Sequence, residues 1–257
     1  MKKTIISCVL FLTAVTAFSQ TTMKTAAEAK LSASDLAVKI ADRILATTTY
    51  EFKNAKTGKT YKSVKNLPLD MNVKVACKYN NWHYTNGVTH IALMELADKT
   101  GAKKYDDYVF KNMNFVFNEG NLDFFKKQYD QAMKDEGWYG VRKLSWHMIF
   151  RGKRLDDNGP MGASLIDLQM KHPNNSFLNY INETAEHLNY GEPRLADGTI
   201  ARIWPHENTI WADDAFMAIS FLARMAKMTG DMNYINDAAN QVIKYHKHLW
   251  CPEKRIL

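Results

Sequence analysis

The stretch Asn208-Thr-Ile-Trp-Ala-Asp-Asp-Ala-Phe-Met-Ala-Ile-Ser-Phe-Leu-Ala-Arg-Met-Ala-Lys-Met-Thr-Gly-Asp231 sets the pattern for the chain. Two carboxylates, Asp213 and Asp214, follow Trp211 where a long apolar run begins. The run contains no Pro or Gly and stops on Thr229-Gly230-Asp231, so it reads as one helix closed by a glycine. An acid pair at the head of an apolar helix is a place for proton chemistry. It is also what an ordinary helix cap looks like, worth about 1 kcal/mol.

The pattern recurs upstream. Gly87 precedes Tyr105 by 18 residues, Gly162 precedes Tyr180 by 18, and Met217 precedes Tyr234 by 17. The Thr-Gly of 229–230 also stands at 100–101. Each unit reads as an apolar helix, a tight turn and a more polar amphipathic helix. One such hairpin cannot bury its apolar face alone, so repeats of this kind stack. Alternation of period two is nearly absent, which disfavours a sheet-based fold.

If the apolar helices run parallel, their N-termini open at one end. The residues just before or at those ends then become neighbours: Trp82 and Tyr84, Asp156 and Asp157, and Trp211, Asp213 and Asp214. Sequence register thus brings two acid pairs and several aromatics to one mouth.

Between these units the reading is coarser. Ser34-Asp35 is expected to cap a first helix carrying Leu36, Val38, Ile40, Ala41, Ile44 and Leu45. Tyr50 to Pro68, polar and containing Gly58, reads as a long connection. A helix is expected from Lys104 to Phe117, a break at 118–121, a polar helix from Leu122 to Met133, and a loop at Gly137-Trp-Tyr-Gly140. Pro160 fits the first turn of a helix opening at Leu155, where its missing N–H costs nothing. Helices follow near Tyr180 to Leu188 and Tyr234 to Leu249, with a loop from Asn189 to Asn208.

The 257 residues suit one large domain or two small ones, and 46% apolar with 24% charged residues is an ordinary globular balance. Met1-Lys2-Lys3, an apolar run from Thr4 to Phe18, and Ser19-Gln20 read as a secretory signal peptide over 1–20. That run is too short to span a bilayer. Residues 21–34 read as a loose lead-in and 35–257 as the folded domain. The expected destination is the periplasm, with no membrane partner. Removing Lys2 and Lys3 takes the formal charge from +7 to +5. The basic residues are not clustered with aromatics, so nucleic acid is not an expected partner. Cys77 and Cys251 would remain, enough for one disulfide but no framework, and no Cys-x-x-Cys zinc pair occurs. His246 and His248, at i, i+2, do not share a helix face for a metal. There is no Gly-x-Ser-x-Gly elbow and no glycine-rich phosphate loop.

Two carboxylates facing each other across a pocket can carry acid–base work on a glycosidic or enol ether bond. One must hold a proton. Burial and a like-charged neighbour favour the protonated form, and a helix N-terminus opposes it.

At these residues the chain resembles glycoside hydrolase family 105, the unsaturated rhamnogalacturonyl hydrolases, related to the unsaturated glucuronyl hydrolases of family 88. The matching elements are Leu155-Asp-Asp-Asn-Gly-Pro-Met-Gly-Ala-Ser-Leu165, Asp197-Gly-Thr-Ile-Ala-Arg202, Thr209-Ile-Trp-Ala-Asp-Asp-Ala-Phe-Met-Ala218 and Trp82-His-Tyr-Thr-Asn-Gly-Val88. The resemblance extends over about residues 36 to 257. The resemblance implies an all-α (α/α)6 barrel and removal of a terminal 4,5-unsaturated uronic acid from lyase-generated oligosaccharides, by hydration of an enol ether, without metal or other cofactor. It implies that Asp213 is the acid/base and that the second carboxylate falls in Leu155-Asp-Asp, at Asp156 in the preferred register and at Asp157 in the alternative one. Trp82, Tyr84, Trp211, Asp157 and Asp214 fall in its substrate-lining segments. Many members carry a histidine about eleven residues before the catalytic aspartate. Here Arg202 stands there, suited to a substrate carboxylate, and His206 is the candidate stand-in. The family has six hairpins and this sequence supplies three or four, so an incomplete, C-terminally truncated barrel is expected. The alternatives are a glycosidase for saturated sugars on the same barrel, a non-catalytic carbohydrate-binding remnant, and a plain helical scaffold whose acids are caps.

Overall fold

The computed structural model describes residues 32–65, 67–117, 120–151 and 154–255. The expected signal peptide and most of the lead-in lie outside these residues. The chain divides into two compact units, residues 1–46 and 47–257. In the first, the described structure is helix α1 (Ala33–Thr47). Its cap is Ser32 rather than Ser34. The Ser32 hydroxyl accepts from the Asp35 N–H at 3.1 Å, and the Asp35 carboxylate accepts in return from the Ser32 N–H at 3.3 Å, a reciprocal capping box.

The second unit is built on three helical hairpins. Helix α2 (Tyr84–Thr100) is followed by α3 (Lys104–Phe117), and after them come α4 (Asn121–Val141) and the short α5 (Met148–Arg151). Helix α6 (Leu155–Lys171) pairs with α7 (Asn175–Glu186), which runs into a π-turn over His187–Gly191. Helix α8 (Ala212–Thr229) pairs with α9 (Met232–Leu249). The two Thr-Gly repeats are the same device. Gly101 and Gly230 adopt φ of 71° and 75°, each closing its helix through its N–H to the carbonyl four residues back. A residue with a Cβ is strained there. The preceding threonines bond back to Leu96 and Met225 at 2.6 and 2.7 Å. Asp231 then starts α9, accepting from the Asn233 N–H at 2.9 Å.

Helices α2, α6 and α8 run parallel. Near their N-terminal ends, Gly87 of α2 faces the backbone of Pro160 and Met161 on α6, and Gly159 of α6 faces the backbone of Met217 on α8. At the other end Lys171 of α6 reaches Asp98 of α2 at 3.3 Å and Asp106 of α3 at 2.9 Å. Parallel inner helices with antiparallel outer partners make the wall of an all-α, (α/α)-barrel fold. Helix α6 is the middle stave. Asp157 through Ile166 are all buried, which is why small residues, Gly159, Gly162 and Ala163, recur along it. Backbones approach there more closely than a Cβ permits.

The stretch read as one long connection carries two strands of a small antiparallel sheet instead, the third following just after it. Strands β1 (Phe52–Asn54), β2 (Thr60–Tyr61) and β3 (Val73–Val75) lie in the order β2-β1-β3, with Phe52 opposite Tyr61 and Val75. Phe52 is fully buried against Phe115, Phe124 and Phe125. Gln128 of α4 donates to the carbonyls of Asp70 and Val73, both at 2.8 Å, tying the sheet to the helix. Strands this short show no alternation to detect.

Two further expectations are corrected. Gly137-Trp-Tyr-Gly140 is not a loop but a kink within α4, where Gly137 adopts φ 60° and ψ −149°. Pro160 lies in the second turn of α6, not the first, so its missing N–H falls inside the helix. Cys77 and Cys251 are free thiols. No helix among the described residues is long and apolar enough to cross a membrane.

Candidate active site

The heads of α6 and α8 and the loop between α7 and α8 meet at one guanidinium. Arg202 is delivered by a loop that is bonded at both ends. Its N–H donates to the Thr209 carbonyl at 2.7 Å. The neighbouring Ile200 donates to Gln241 at 3.0 Å and accepts from the Tyr245 hydroxyl at 3.0 Å, both on α9. From this support the Arg202 side chain reaches three carboxylates. Nε and Nη2 hold Asp214 at 2.7 and 2.6 Å, Nη2 and Nη1 hold Asp156 at 3.0 and 3.3 Å, and Asp213 stands at 3.6 Å. The guanidinium also lies over the Trp211 ring, 4.2 Å from its centroid, an arrangement favoured by the ring's negative face.

The three acids differ in exposure. The Asp214 side chain is 1% exposed, Asp156 26% and Asp213 52%. Burial raises the Asp214 pKa, against the pull of Arg202, and repulsion from Asp213 and Asp156 adds to the rise. Burial works against charge on Arg202 too, but its bonds to Asp214 and the fields of the other acids raise its pKa and keep it a cation. Oxygens of Asp156, Asp213 and Asp214 lie within 4.8 Å of one another, a spacing that could serve a metal ion. The guanidinium reaches all three, so the cluster has an internal cation.

Asp157, next to Asp156, points elsewhere. It is buried in a two-pronged ion pair with Arg151 of α5, and its carbonyl accepts from the indole N–H of Trp82 at 2.7 Å. Burial is the largest influence on Asp157 and raises its pKa, opposed by Arg151. Trp82 is fully buried among Phe117, Trp146 and Tyr180. It therefore supports the mouth from beneath and has no face for a sugar, a correction to the expected aromatic wall. Tyr84 is part-exposed and lies 4.5 Å from the His83 ring. His83 caps α2 through Nδ1, and its pKa is lowered by burial, opposed by Asp157 and Asp156. His206 is exposed, and its backbone carbonyl accepts from the Thr209 hydroxyl at 2.6 Å.

A cavity of about 550 Å³ opens on one side of the cluster, within the usual range for small-ligand sites. Arg154, Leu155, Asp156, Arg202, His187 and Glu192 line it, with the exposed indole of Trp204 at its edge. Sequence reasoning missed Arg151, His187 and Glu192. All three lie outside the repeat register, and their roles depend on contacts that no spacing encodes.

Comparison with known proteins agrees with this architecture. Residues 53–256 match the family model described as Glycosyl Hydrolase Family 88. No curated protein matches the chain. Among solved structures, a possible member of the GH105 family from Salmonella enterica subsp. enterica serovar Paratyphi A is 14% identical, with a TM-score of 0.53 over 88% of this chain and 51% of that one. A possible GH105 member from Klebsiella pneumoniae subsp. pneumoniae is 13% identical, with a TM-score of 0.53 over 87% and 50%. At such identities the likeness is one of fold, and this chain spans about half the length of either structure. The family match, by contrast, runs through both acid-bearing helices and the loop that carries Arg202, and on that ground the chain belongs to Glycosyl Hydrolase Family 88.

Proposed function

We propose that the protein is a glycosidase that removes a terminal 4,5-unsaturated uronic acid from lyase-generated oligosaccharides by hydrating its enol ether. The observation that carries the reading is the sharing of one guanidinium by three carboxylates. Asp214 and Asp156 take its short hydrogen bonds, and Asp213, at 3.6 Å and half-exposed, is left the least tied. One proton among three crowded acids relieves their repulsion. Asp213 has the longest contact to the guanidinium and is half-exposed, so it is the acid best placed to meet a substrate.

In the proposed reaction Asp213 gives its proton to C4 and positive charge develops at C5 and the ring oxygen. Water adds at C5 and returns a proton to the Asp213 carboxylate. The hemiketal opens and the neighbouring sugar leaves from C1. Asp156, which lines the cavity beside the cluster, stabilises the developing charge. A displacement on a saturated sugar would instead need acid and base about 5 to 9.5 Å apart on either side of the bond. Here the acids gather round one cation on one side. The basic, then apolar, start of the sequence adds export to the periplasm to this reading.

The test is ultraviolet absorbance of the conjugated uronide. Purified full-length protein is expected to bleach it with a lyase product and Asp213→Asn to leave it intact. Unchanged absorbance across pectin-, hyaluronan- and ulvan-type lyase products would sink the reading.

A further inference from the structure

Two arginines line the cavity, and only one is already occupied. The fork of Arg202 is filled by Asp214 and Asp156. The Arg154 side chain is exposed and takes no hydrogen bond or ion pair among the described residues. Its backbone, by contrast, is fixed. Arg154 is the N-cap of α6, extended at φ −137° and ψ 137°, and its carbonyl accepts from the Asp157 and Asn158 N–H groups at 2.9 and 3.2 Å. The side chain therefore leaves from a set point on the cavity rim, two residues ahead of Asp156.

Helix α6 gains nothing from an arginine there. An N-cap ordinarily carries Ser, Thr, Asp or Asn, whose side chain bonds a free N–H of the first turn, and the positive end of the helix disfavours a cation. Arg154 makes no such cap bond. Asp157, whose pKa is raised first by burial, feels the field of Arg154, but both of its oxygens are bonded to Arg151. A residue that breaks a local rule without a local gain is expected at a functional position.

We propose that Arg154 binds the carboxylate of a uronic acid seated in this cavity and so sets the preference for an acidic sugar; the choice of sugar rests on the glycosidase reading. In the proposed reaction that carboxylate is carried on C5, next to the C4 that takes the proton, so a cation beside Asp156 would hold the reacting end of the ring. The paired N–H groups of a guanidinium match the two oxygens of a carboxylate. The anion meets little opposition. Asp156 is already matched by Arg202. The Glu192 carboxyl is lifted to about 7, by burial first and then by repulsion from Asp214, so at neutral pH it is only partly charged. Trp204, 59% exposed at the cavity edge, offers a flat apolar face for the ring's C–H groups.

The experiment is calorimetric titration of the full-length protein with a saturated uronyl disaccharide and with its methyl ester, alongside turnover of the unsaturated disaccharide. Wild type is expected to bind the acid at least about tenfold more tightly than the ester, the worth of one charge-assisted hydrogen bond. Arg154→Gln should bring the acid down to the affinity of the ester, leave the ester where it was, and keep the unfolding midpoint. A merely structural role would weaken both alike. Arg154→Lys, which keeps the charge but not the planar fork, should retain part of the preference, and it makes the comparison if Arg154→Gln fails to fold. A preference for the acid that survives in Arg154→Gln, equal affinities in wild type, or no binding of either sugar would overturn the assignment. A preference lost with Arg154 in a protein that turns nothing over refutes the reaction and leaves the carboxylate site standing. Turnover with a preference indifferent to Arg154 does the reverse.

Discussion

Arg202 holds both oxygens of Asp214, through Nε at 2.7 Å and Nη2 at 2.6 Å, at the buried head of α8. Every other polar contact of the cluster is arranged around that pair. Asp214 is out of water, so its charge depends on the arginine. The arginine in turn has donors left to draw in Asp156, and its charge reaches Asp213.

Removing Arg202 should therefore damage the fold as well as the site. Arg202→Ala leaves a buried carboxylate unpaired beside two others, a loss expected at about 3–5 kcal/mol. Arg202→Lys keeps the charge but not the planar fork that serves Asp214 and Asp156 together. It should recover part of the stability and little of any activity. Denaturant titration of both variants checks the order wild type, Lys, Ala. Equal stability of all three would show that the pair contributes nothing.

Asp213 and Asp214 are adjacent in sequence and should behave as opposites. Asp213→Asn alters a half-exposed group whose ion pair is long, so stability should change by less than about 1 kcal/mol while activity falls by about 10²–10⁴-fold. Asp214→Asn breaks the two short bonds from Arg202 at a buried position and should lower stability measurably. Thermal melts run beside absorbance assays separate the two outcomes. A destabilised but active Asp213→Asn would exchange their roles.

The hairpins, their parallel inner helices and the gathering of Asp156, Asp213 and Asp214 were all legible from the spacing of Gly87, Gly162 and the two Thr-Gly stops. Those features are repeated, and a repeat carries its geometry with it. What escaped notice was local or made by long-range contact. The strands at 52–54, 60–61 and 73–75 are too short for a period. Asp156 joins the cluster while Asp157 is turned away by Arg151, whose short helix carries no motif. Trp82 looked like a lining residue because it precedes an inner helix, but its indole turns inward to the Asp157 carbonyl. Arg202 was expected to await a substrate carboxylate, and its fork is filled by the protein's own acids.

The close approach of α6 to its neighbours gives a prediction about packing alone. A Cβ on Gly159 would stand 2.9 Å from the Met217 carbonyl carbon and closer still to its oxygen. Both are backbone, so the helices themselves must separate. Gly159→Ala, which in an isolated helix would gain about 1 kcal/mol, should here cost at least about 1–3 kcal/mol. Gly58→Ala, with nothing within 4 Å of its Cβ, is strained only by its φ of 71° and should cost less. Denaturant midpoints for the two rank them, and the reverse ranking would mean that α6 and α8 are not in backbone contact at this point.

His90 on α2 ties stability to pH. It is 1% exposed, and neither ring nitrogen has a hydrogen-bond partner among the described residues. Burial lowers its pKa from 6.5 to about 3. The unfolded chain therefore takes up a proton at this residue as pH falls below 6.5, and the folded chain does not until about pH 3. Stability is fully present above 6.5 and declines through that window, by about 1.4 kcal/mol per pH unit. His147 and His83, whose pKa values are also lowered first by burial, act in the same direction. Replacing His90 by Leu keeps the site apolar and filled but removes the titrating group. Between pH 7 and pH 5 the wild type should lose about 2 kcal/mol more than His90→Leu, measured by denaturant unfolding at each pH. An identical loss in the two proteins would mean that the folded chain protonates His90 as readily as the unfolded one.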